Sequence, residues 1–350
     1  MFLRNAWYVA AWGHEIKESV LARTLLNDPV VLFRDSAGKV RALEDRCCHR
    51  GAPLALGEVV EQGLRCGYHG LVFNGEGICV DVPGQTQIPA NARVRSYPVV
   101  EKDEFVWIWM GDAAKASTDL IIDYPYNNDY AEWPHQHAVM PIKCNYRLLL
   151  DNLMDLTHLG LVHKTTIGGN LPQHANAKMK TTKTPTGVKY VRWMLESVPP
   201  PAYIAVAGFK GKVDRWQEFE FVAPSCIVQY TGAVDAGTGA YDLGKRDGGV
   251  QIRLLHAITP ETDSTCLYFW VSAAGNCRSY PEAADKLFQA ACTAFNEDKR
   301  VVEQQQLRLN GYDENNLVDI ASDSARVQMF RHLTQLIAEE NGQRVAAAAE

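Results

Sequence analysis

The sequence predicts an α+β protein in two parts: an all-β module over residues 1–120, then a domain over 121–350 that combines an antiparallel sheet with helices. Three observations carry this. From about Arg23 to Met110 the chain is a succession of short apolar or alternating runs, such as PVVLF and FVWIW, punctuated by Asp-Ser-Ala-Gly and Gly-Glu-Gly. From Asn145 to Thr165, NYRLLLDNLMDLTHLGLVHKT spaces its apolar residues as a helix does. Beyond that, strand-like pieces give way to two helical stretches at the end of the chain.

Taken in order, TLLNDPVVLFRDSAGKVRALED, LRCGYHGLVFNGEGICV and VRSYPVVEKDEFVWIWMGD read as strands and hairpins. The stretch Gly111–His137 is turn-rich and polar and holds the expected domain boundary. After the helix come the strands VKYVRWML, RWQEFEFVAP and CLYFWVSAA, with a glycine-rich loop, GAVDAGTGAYDLGKRDGG, among them. PEAADKLFQAACTAFNEDKRVVEQQQ and SARVQMFRHLTQLIAEE read as amphipathic helices. The closing AAAAE is uninformative, and there is no internal repeat.

Composition excludes several classes. With 47% hydrophobic and 22% charged residues, the 350-residue chain is globular and large enough for two cores. A formal charge of -6 and the lack of a Lys/Arg-rich run argue against nucleic-acid binding. No window holds the roughly 18 unbroken apolar residues of a membrane span, and MFLRNAWYVAAWGHEI is broken too early for a signal peptide, so the expected compartment is the cytoplasm. Nine cysteines, an odd number spread over a long chain, fit reduced thiols with a few recruited as ligands.

The recruits are evident from spacing. Cys47-Cys48-His49 is followed after sixteen residues by Cys66-Gly67-Tyr68-His69, and both halves fall at turns between strands. Two thiolates and two imidazoles suit a tetrahedral zinc site or a Rieske [2Fe–2S] centre. One Cys and one His from each loop favours the Rieske arrangement, with Cys47 and Cys66 on the inner iron and His49 and His69 on the outer. Cys48 points away and is expected to be a small packing residue.

A second metal is suggested downstream. Asp155 and His158 share a helical face, but His158 and His163, five apart, would diverge by about 140° on an ideal helix. They converge only if the helix bends or tightens, which Gly160 permits. Asp298 decides the matter: the stripe Ala284, Leu287, Phe288, Ala291, Phe295 continues into Asp298 and Val302, and a carboxylate in a core stripe wants a cation. The other available partners are Arg147 and Arg300. Glu297, about 100° round the helix, is expected to be solvated. His158, His163 and Asp298 form the two-His, one-carboxylate triad of non-haem Fe(II) oxygenases.

A Rieske motif in a β module, then N-x-x-D-x-x-H-x-x-x-x-H and a distal Asp, resembles the oxygenase components of Rieske non-haem iron oxygenases over essentially the whole chain. NAWYVAAW, HRGAPLALG, YHGLVFN, GDAAKA, NYRLLLDNLMDLTH and TPET resemble the aromatic O-demethylase group, which includes vanillate O-demethylase and dicamba monooxygenase. RCCHR, PGQTQIP and VWIWMGD are similar to toluenesulfonate methyl-monooxygenase. The resemblance implies a helix-grip-like catalytic domain and a homotrimer in which each Rieske centre feeds the iron of a neighbouring subunit. It also makes Asp155 the bridge, hydrogen-bonded to His158 of its own chain and His69 of the next, and puts Asn152 beside the iron without ligating it.

Gly237-Thr-Gly239-Ala-Tyr-Asp242 fails the dinucleotide-binding pattern at its last position, so NAD(P)H is expected to act through a separate flavin and ferredoxin-type reductase. The implied reaction uses O₂ to hydroxylate a methyl or methoxy group of an aromatic acid. The alternatives are a ring cis-dihydroxylating dioxygenase, a Rieske electron-transfer protein and a zinc-stabilised binding module. The substrate anion calls for a cationic or hydrogen-bonding group. His256 and Arg253 are the candidates, with Arg215 and Arg192 also in the sheet region, each read first as a surface or rim residue. Tyr268-Phe269-Trp270 reads first as sheet core, second as pocket wall.

Overall fold

The computed structural model describes residues 1–17, 19–169, 171–275, 282–313 and 316–342; Cys277 lies outside the described residues. The chain divides into two compact units, Met1–Asp123 with Thr259–Asp263, and Tyr124–Ile258 with Ser264–Glu350.

The first unit is all β apart from short 3₁₀ turns. One sheet pairs β1 (Trp7–Trp12), β11 (Phe105–Trp109) and β10 (Val99–Lys102). A second orders β2 (Leu21–Leu25), β3 (Asp28–Arg34), β4 (Val40–Glu44) and β9 (Ser96–Tyr97). The third is a meander of β5 (Glu58–Val60), β6 (Gly63–Arg65), β7 (Val72–Phe73) and β8 (Cys79–Asp81). WYVAAW and FVWIW are buried along their whole length, on both faces, which is why they read as unbroken apolar runs rather than alternating ones. Trp12 stacks on Phe105 at 4.3 Å between ring centroids. Between β4 and β5, and between β6 and β7, the chain leaves the strands in two loops whose cysteines share a core with Leu43, Leu54, Leu64 and Phe73.

The second unit is built on a seven-stranded antiparallel sheet. Its order is β12 (His135–Ile142), β18 (Thr265–Gly275), β17 (Val250–Thr262), β16 (Cys226–Asp235), β15 (Val213–Val222), β14 (Gly187–Ser197) and β13 (Lys178–Thr184). Helices α1 (Tyr146–Met154), α2 (Leu159–Val162), α3 (Leu171–Ala175) and α4 (Pro201–Ala207) occupy the connections, and α5 (Ala283–Leu309) and α6 (Ser324–Glu340) close the chain. The sheet with its helices matches the expected α+β class.

Helix α5 packs against β12, β18, α1 and α4. Its buried stripe runs Leu287, Phe288, Ala291, Phe295, Asp298, Val302, joined by Ala283 and Ala294. Phe288 stacks on Trp270, and Phe295 meets Trp270 edge-on, both at 4.8 Å. Each such ring contributes about 1.5–3 kcal/mol by leaving water. Tyr268 and Trp270 are thus core residues of the sheet's helix-covered face. Two-residue alternation assigns the rest: Arg215, Gln217 and Phe219 of β15, Gln229 and Thr231 of β16, and Ile252 and Leu254 of β17 line a common cavity. Trp193 and Trp216 form a core with Tyr230 on the sheet, capped by Arg246 and by Tyr241 of the glycine-rich loop.

Candidate functional site

The two loops of the first unit have matching backbones. In one, Cys47 donates its N–H to Ala52, and Gly51 returns a bond to the Cys47 carbonyl at 2.9 Å. In the other, Cys66 donates to Leu71, and Gly70 returns to Cys66 at 3.0 Å. Gly51 and Gly70 have φ of 70° and 76°, a left-handed turn that a side chain disfavours, which explains the glycine four residues after Cys47 and after Cys66. The outcome is two buried thiols and two exposed imidazoles, with the rings of His49 and His69 at 4.6 Å between centroids. Burial pushes the Cys47 thiol up to about 11, and contact with the Cys66 thiol adds to the shift. A buried thiol whose proton is held this tightly becomes a thiolate only when a cation neutralises it, so two cysteines beside two exposed imidazoles fit an iron–sulfur centre. Cys48 does not pack inward as the sequence suggested; it is exposed. The turn that buries Cys47 carries its neighbour out to solvent.

In the second unit the expected continuous helix is interrupted. It breaks at Asp155, not at Gly160: Asp155 takes extended angles, and its carboxylate accepts from the Thr157 N–H at 2.9 Å and the Thr157 hydroxyl at 2.8 Å. This is an N-cap, so α1 ends and a 3₁₀ turn, Leu156–His158, leads into α2. The break brings His158 and His163 to 5.2 Å between ring centroids. Both Nε2 atoms face Asp298, which projects from α5: His158 lies 3.3 Å and His163 3.1 Å from Oδ1. The Asn152 amide donates to the same oxygen at 3.0 Å. Arg147 instead lies over the ring of Phe330.

The outer edges of the imidazoles settle their tautomers. His158 donates Nδ1–H to the Asp155 carbonyl at 2.6 Å, and His163 donates Nδ1–H to the Glu297 carboxylate at 2.7 Å. Each ring therefore turns Nε2 toward a buried carboxylate: Nε2–H donates to Asp298, and on losing that proton the same atom offers a lone pair to a metal. Two imidazole nitrogens and a carboxylate converging within 4.8 Å are a ligand set for a divalent cation, which would displace the two Nε2 protons. Burial alone would raise the Asp298 carboxyl, but hydrogen bonds with the two histidines outweigh it and hold it below its ordinary range. Two expectations change here. Asp155 reaches His158 through its carbonyl, while its carboxylate is taken by Thr157. Glu297 is not merely solvated; it anchors His163.

Glu297→Gln should keep the Nδ1 bond yet remove the charge that makes His163 a stronger donor. Affinity for a divalent ion is expected to fall about 10–100-fold, read by metal titration, with the Cys/His centre unaffected.

The triad opens into a cavity between α1, α5 and the sheet. Leu153, Leu156, Leu159, Ile252, Leu254 and Phe295 give it an apolar wall. Of the sequence candidates, Arg253 is excluded: alternation turns it to the opposite sheet face, 3.4 Å over the ring of Tyr230. His256 shares the cavity's sheet face but is sealed beneath it, its ring bonded to the Tyr268 hydroxyl at 2.6 Å and to Gln229 Oε1 at 2.8 Å. Burial lowers its pKa to about 3, so it is neutral. Arg192 and Arg215 are not rim residues; both are buried. Gln217, Gln229, Thr231 and Tyr203 line the cavity and were missed, although fixing the strand register from the apolar Ile252 and Leu254 would have found the first three.

Comparison with known proteins fits this geometry. Residues 6–98 match the Rieske [2Fe-2S] domain, and residues 142–339 the vanillate O-demethylase oxygenase C-terminal domain. The chain is 42% identical to the toluene-4-sulfonate monooxygenase system iron-sulfur subunit of Comamonas testosteroni, across 98% of this chain and 99% of that one. It superposes on crystal structures of dicamba monooxygenase at 33% identity. The form bound to 3,6-dichlorosalicylic acid has a TM-score of 0.90 over 98% of this chain and 99% of that one; the form with non-haem iron and dicamba has 0.78 over 97% and 99%. With a Cys₂His₂ centre in its β unit and a His₂Asp site in its catalytic unit, the chain belongs to the Rieske non-haem iron oxygenases, as a monooxygenase component that carries a [2Fe–2S] cluster and a mononuclear non-haem iron.

Proposed function

We propose that this chain hydroxylates a methyl or methoxy group of an aromatic acid, working as a cytoplasmic homotrimer with a separate NAD(P)H-dependent flavin and ferredoxin-type reductase. In this reading Cys47, His49, Cys66 and His69 hold the [2Fe–2S] cluster, and His158, His163 and Asp298 hold the iron. The observation that carries it is the opening of the His₂Asp site into a mostly apolar cavity, the environment in which an unactivated methyl group is held against the metal site. Iron, given O₂ and reductase electrons, supplies the oxidising chemistry; one oxygen atom enters the product and the other leaves as water.

The chain's residues do the rest. Asp155 O and Glu297 fix the imidazoles, so the ligand set is ready before substrate arrives. Asn152 beside Asp298 orients the carboxylate through its amide. Leu156, Leu159, Ile252, Leu254 and Phe295 enclose the aromatic ring. The exposed imidazoles of His49 and His69 bring the cluster's outer edge to the surface of the β unit, where electrons enter and leave. The Asp155 carboxylate, next to His158, is assigned the link to His69 of a neighbouring copy.

Product analysis tests the reading. With a surrogate reductase, 4-methylbenzenesulfonate should give the benzylic alcohol, and methoxybenzoates should release formaldehyde with the phenol. A cis-dihydrodiol from these substrates would refute it.

A further inference from the structure

Arg215 is a charge without a counter-charge in the wall of the catalytic cavity. It lies on β15 among the cavity-lining residues and is 3% exposed. Nη1 donates to the Gly168 carbonyl and Nη2 to the Ile167 carbonyl, both at 2.8 Å, and Nε has no partner. A guanidinium has five N–H donors, so some remain for a ligand. Among the described residues no carboxylate lies within ion-pair distance; its other neighbour is Tyr203, whose ring is 5.3 Å away and whose hydroxyl also interacts with the guanidinium but brings no charge. His174 nearby is kept neutral, its pKa lowered to about 4 by burial and by Arg215 itself, so it brings no compensating charge.

The contrast with Arg192 is instructive. Equally buried and with its own Nε unpartnered, Arg192 donates to the carbonyls of Leu156 and His174, lies within reach of Gln217 Oε1, and does not line the cavity. Both arginines hold the loop that carries the histidines, but only Arg215 also forms the wall. A buried, unpaired cation is costly, and an anion entering the cavity relieves that cost.

Resting on the oxygenase reading above, we propose that Arg215 reads the anionic oxygens of the substrate, so that the cavity selects an arene bearing a carboxylate or sulfonate over a neutral arene of the same shape. Bidentate acceptance by two such oxygens suits a planar donor fork. Thr231 and Tyr203, bonded to each other at 3.2 Å, line the same cavity and add neutral donors.

The test is equilibrium calorimetry on the iron-loaded holoenzyme with matched pairs: 4-methylbenzenesulfonate against 4-methylbenzenesulfonamide, and 4-methoxybenzoate against 4-methoxybenzamide. Wild type is expected to bind each anion at least tenfold tighter than its amide. Arg215→Gln should weaken the anions on the order of 30-fold while the amides shift less than about threefold. Arg215→Lys, which keeps the charge but not the fork, should retain part of the preference. Iron content and circular dichroism of each variant report whether the loop from Ile167 to Gly168 has kept its place. Equal losses for anion and amide would make Arg215 a structural support and overturn the proposal. So would a wild-type protein that oxidises both members of a pair without preferring the anion, which would leave the oxygenase reading intact. A wild type that neither binds nor oxidises any of the four compounds removes that reading and the proposal with it.

Discussion

Asp298→Ala is expected to leave a brown protein with its two cluster irons and two acid-labile sulfides, but without the third iron and without turnover. The carboxylate is the only anion of the His₂Asp set, and it sits buried on the stripe of α5, between Phe295 and Val302. Without it, two neutral imidazoles would have to hold a dication in an apolar surround. Asn152 cannot substitute, because its amide already points its donor, not its oxygen, at the site. The activity loss should reach about 10³-fold or more, since several kcal/mol of transition-state stabilisation depend on the bound ion. Metal and sulfide analysis with visible absorption checks it: the cluster lies in the other unit and should be untouched. An Asp298→Ala protein that keeps three irons would refute the ligand assignment. Folding is not expected to suffer, since alanine at 298 removes a desolvated charge from a core stripe.

The outlines of this site were readable in the sequence because its donors interrupt regular patterns. A carboxylate at position 298 violates an apolar stripe, and Cys/His pairs at 47–49 and 66–69 recur at matching turns. Where a residue obeys its pattern, the sequence is silent. Arg253 and Arg215 both fall on strands rich in polar residues, and only strand register separates the residue on the outer face from the one in the cavity. The spacing of His158 and His163 predicts a bend, with Gly160 as a residue that permits it. The actual cause is a side-chain cap, in which the Asp155 carboxylate offers the backbone an alternative to the next helical turn. Glu297 was lost for a related reason: the ideal helix puts it about 100° from Asp298, yet a carboxylate has reach enough to meet His163 from the flank. Tertiary partners from distant segments, such as Glu297 to His163 or Arg192 to Leu156, leave no periodic trace.

Asp155→Asn should separate the structural role of this residue from its electronic one. Structurally, Asp155 gives two things: its carbonyl, which accepts Nδ1–H of His158, and a side-chain oxygen, which accepts the Thr157 N–H. Asparagine supplies both, since its backbone is the same and its amide oxygen is an N-cap acceptor of similar strength. The variant should therefore fold, keep the interruption after α1, and retain both the cluster and the iron. What it lacks is the negative charge beside His158. If that charge fixes the tautomer of a neighbouring copy's His69 and couples the two centres, turnover should fall on the order of 100-fold. Stopped-flow absorption should place the loss in reoxidation of the reduced cluster, leaving substrate affinity as in wild type. Asp155→Ala should show the same kinetic defect plus about 1 kcal/mol of lost stability from the missing cap. Full turnover in Asp155→Asn would confine the residue to its cap and remove it from the proposed link between copies.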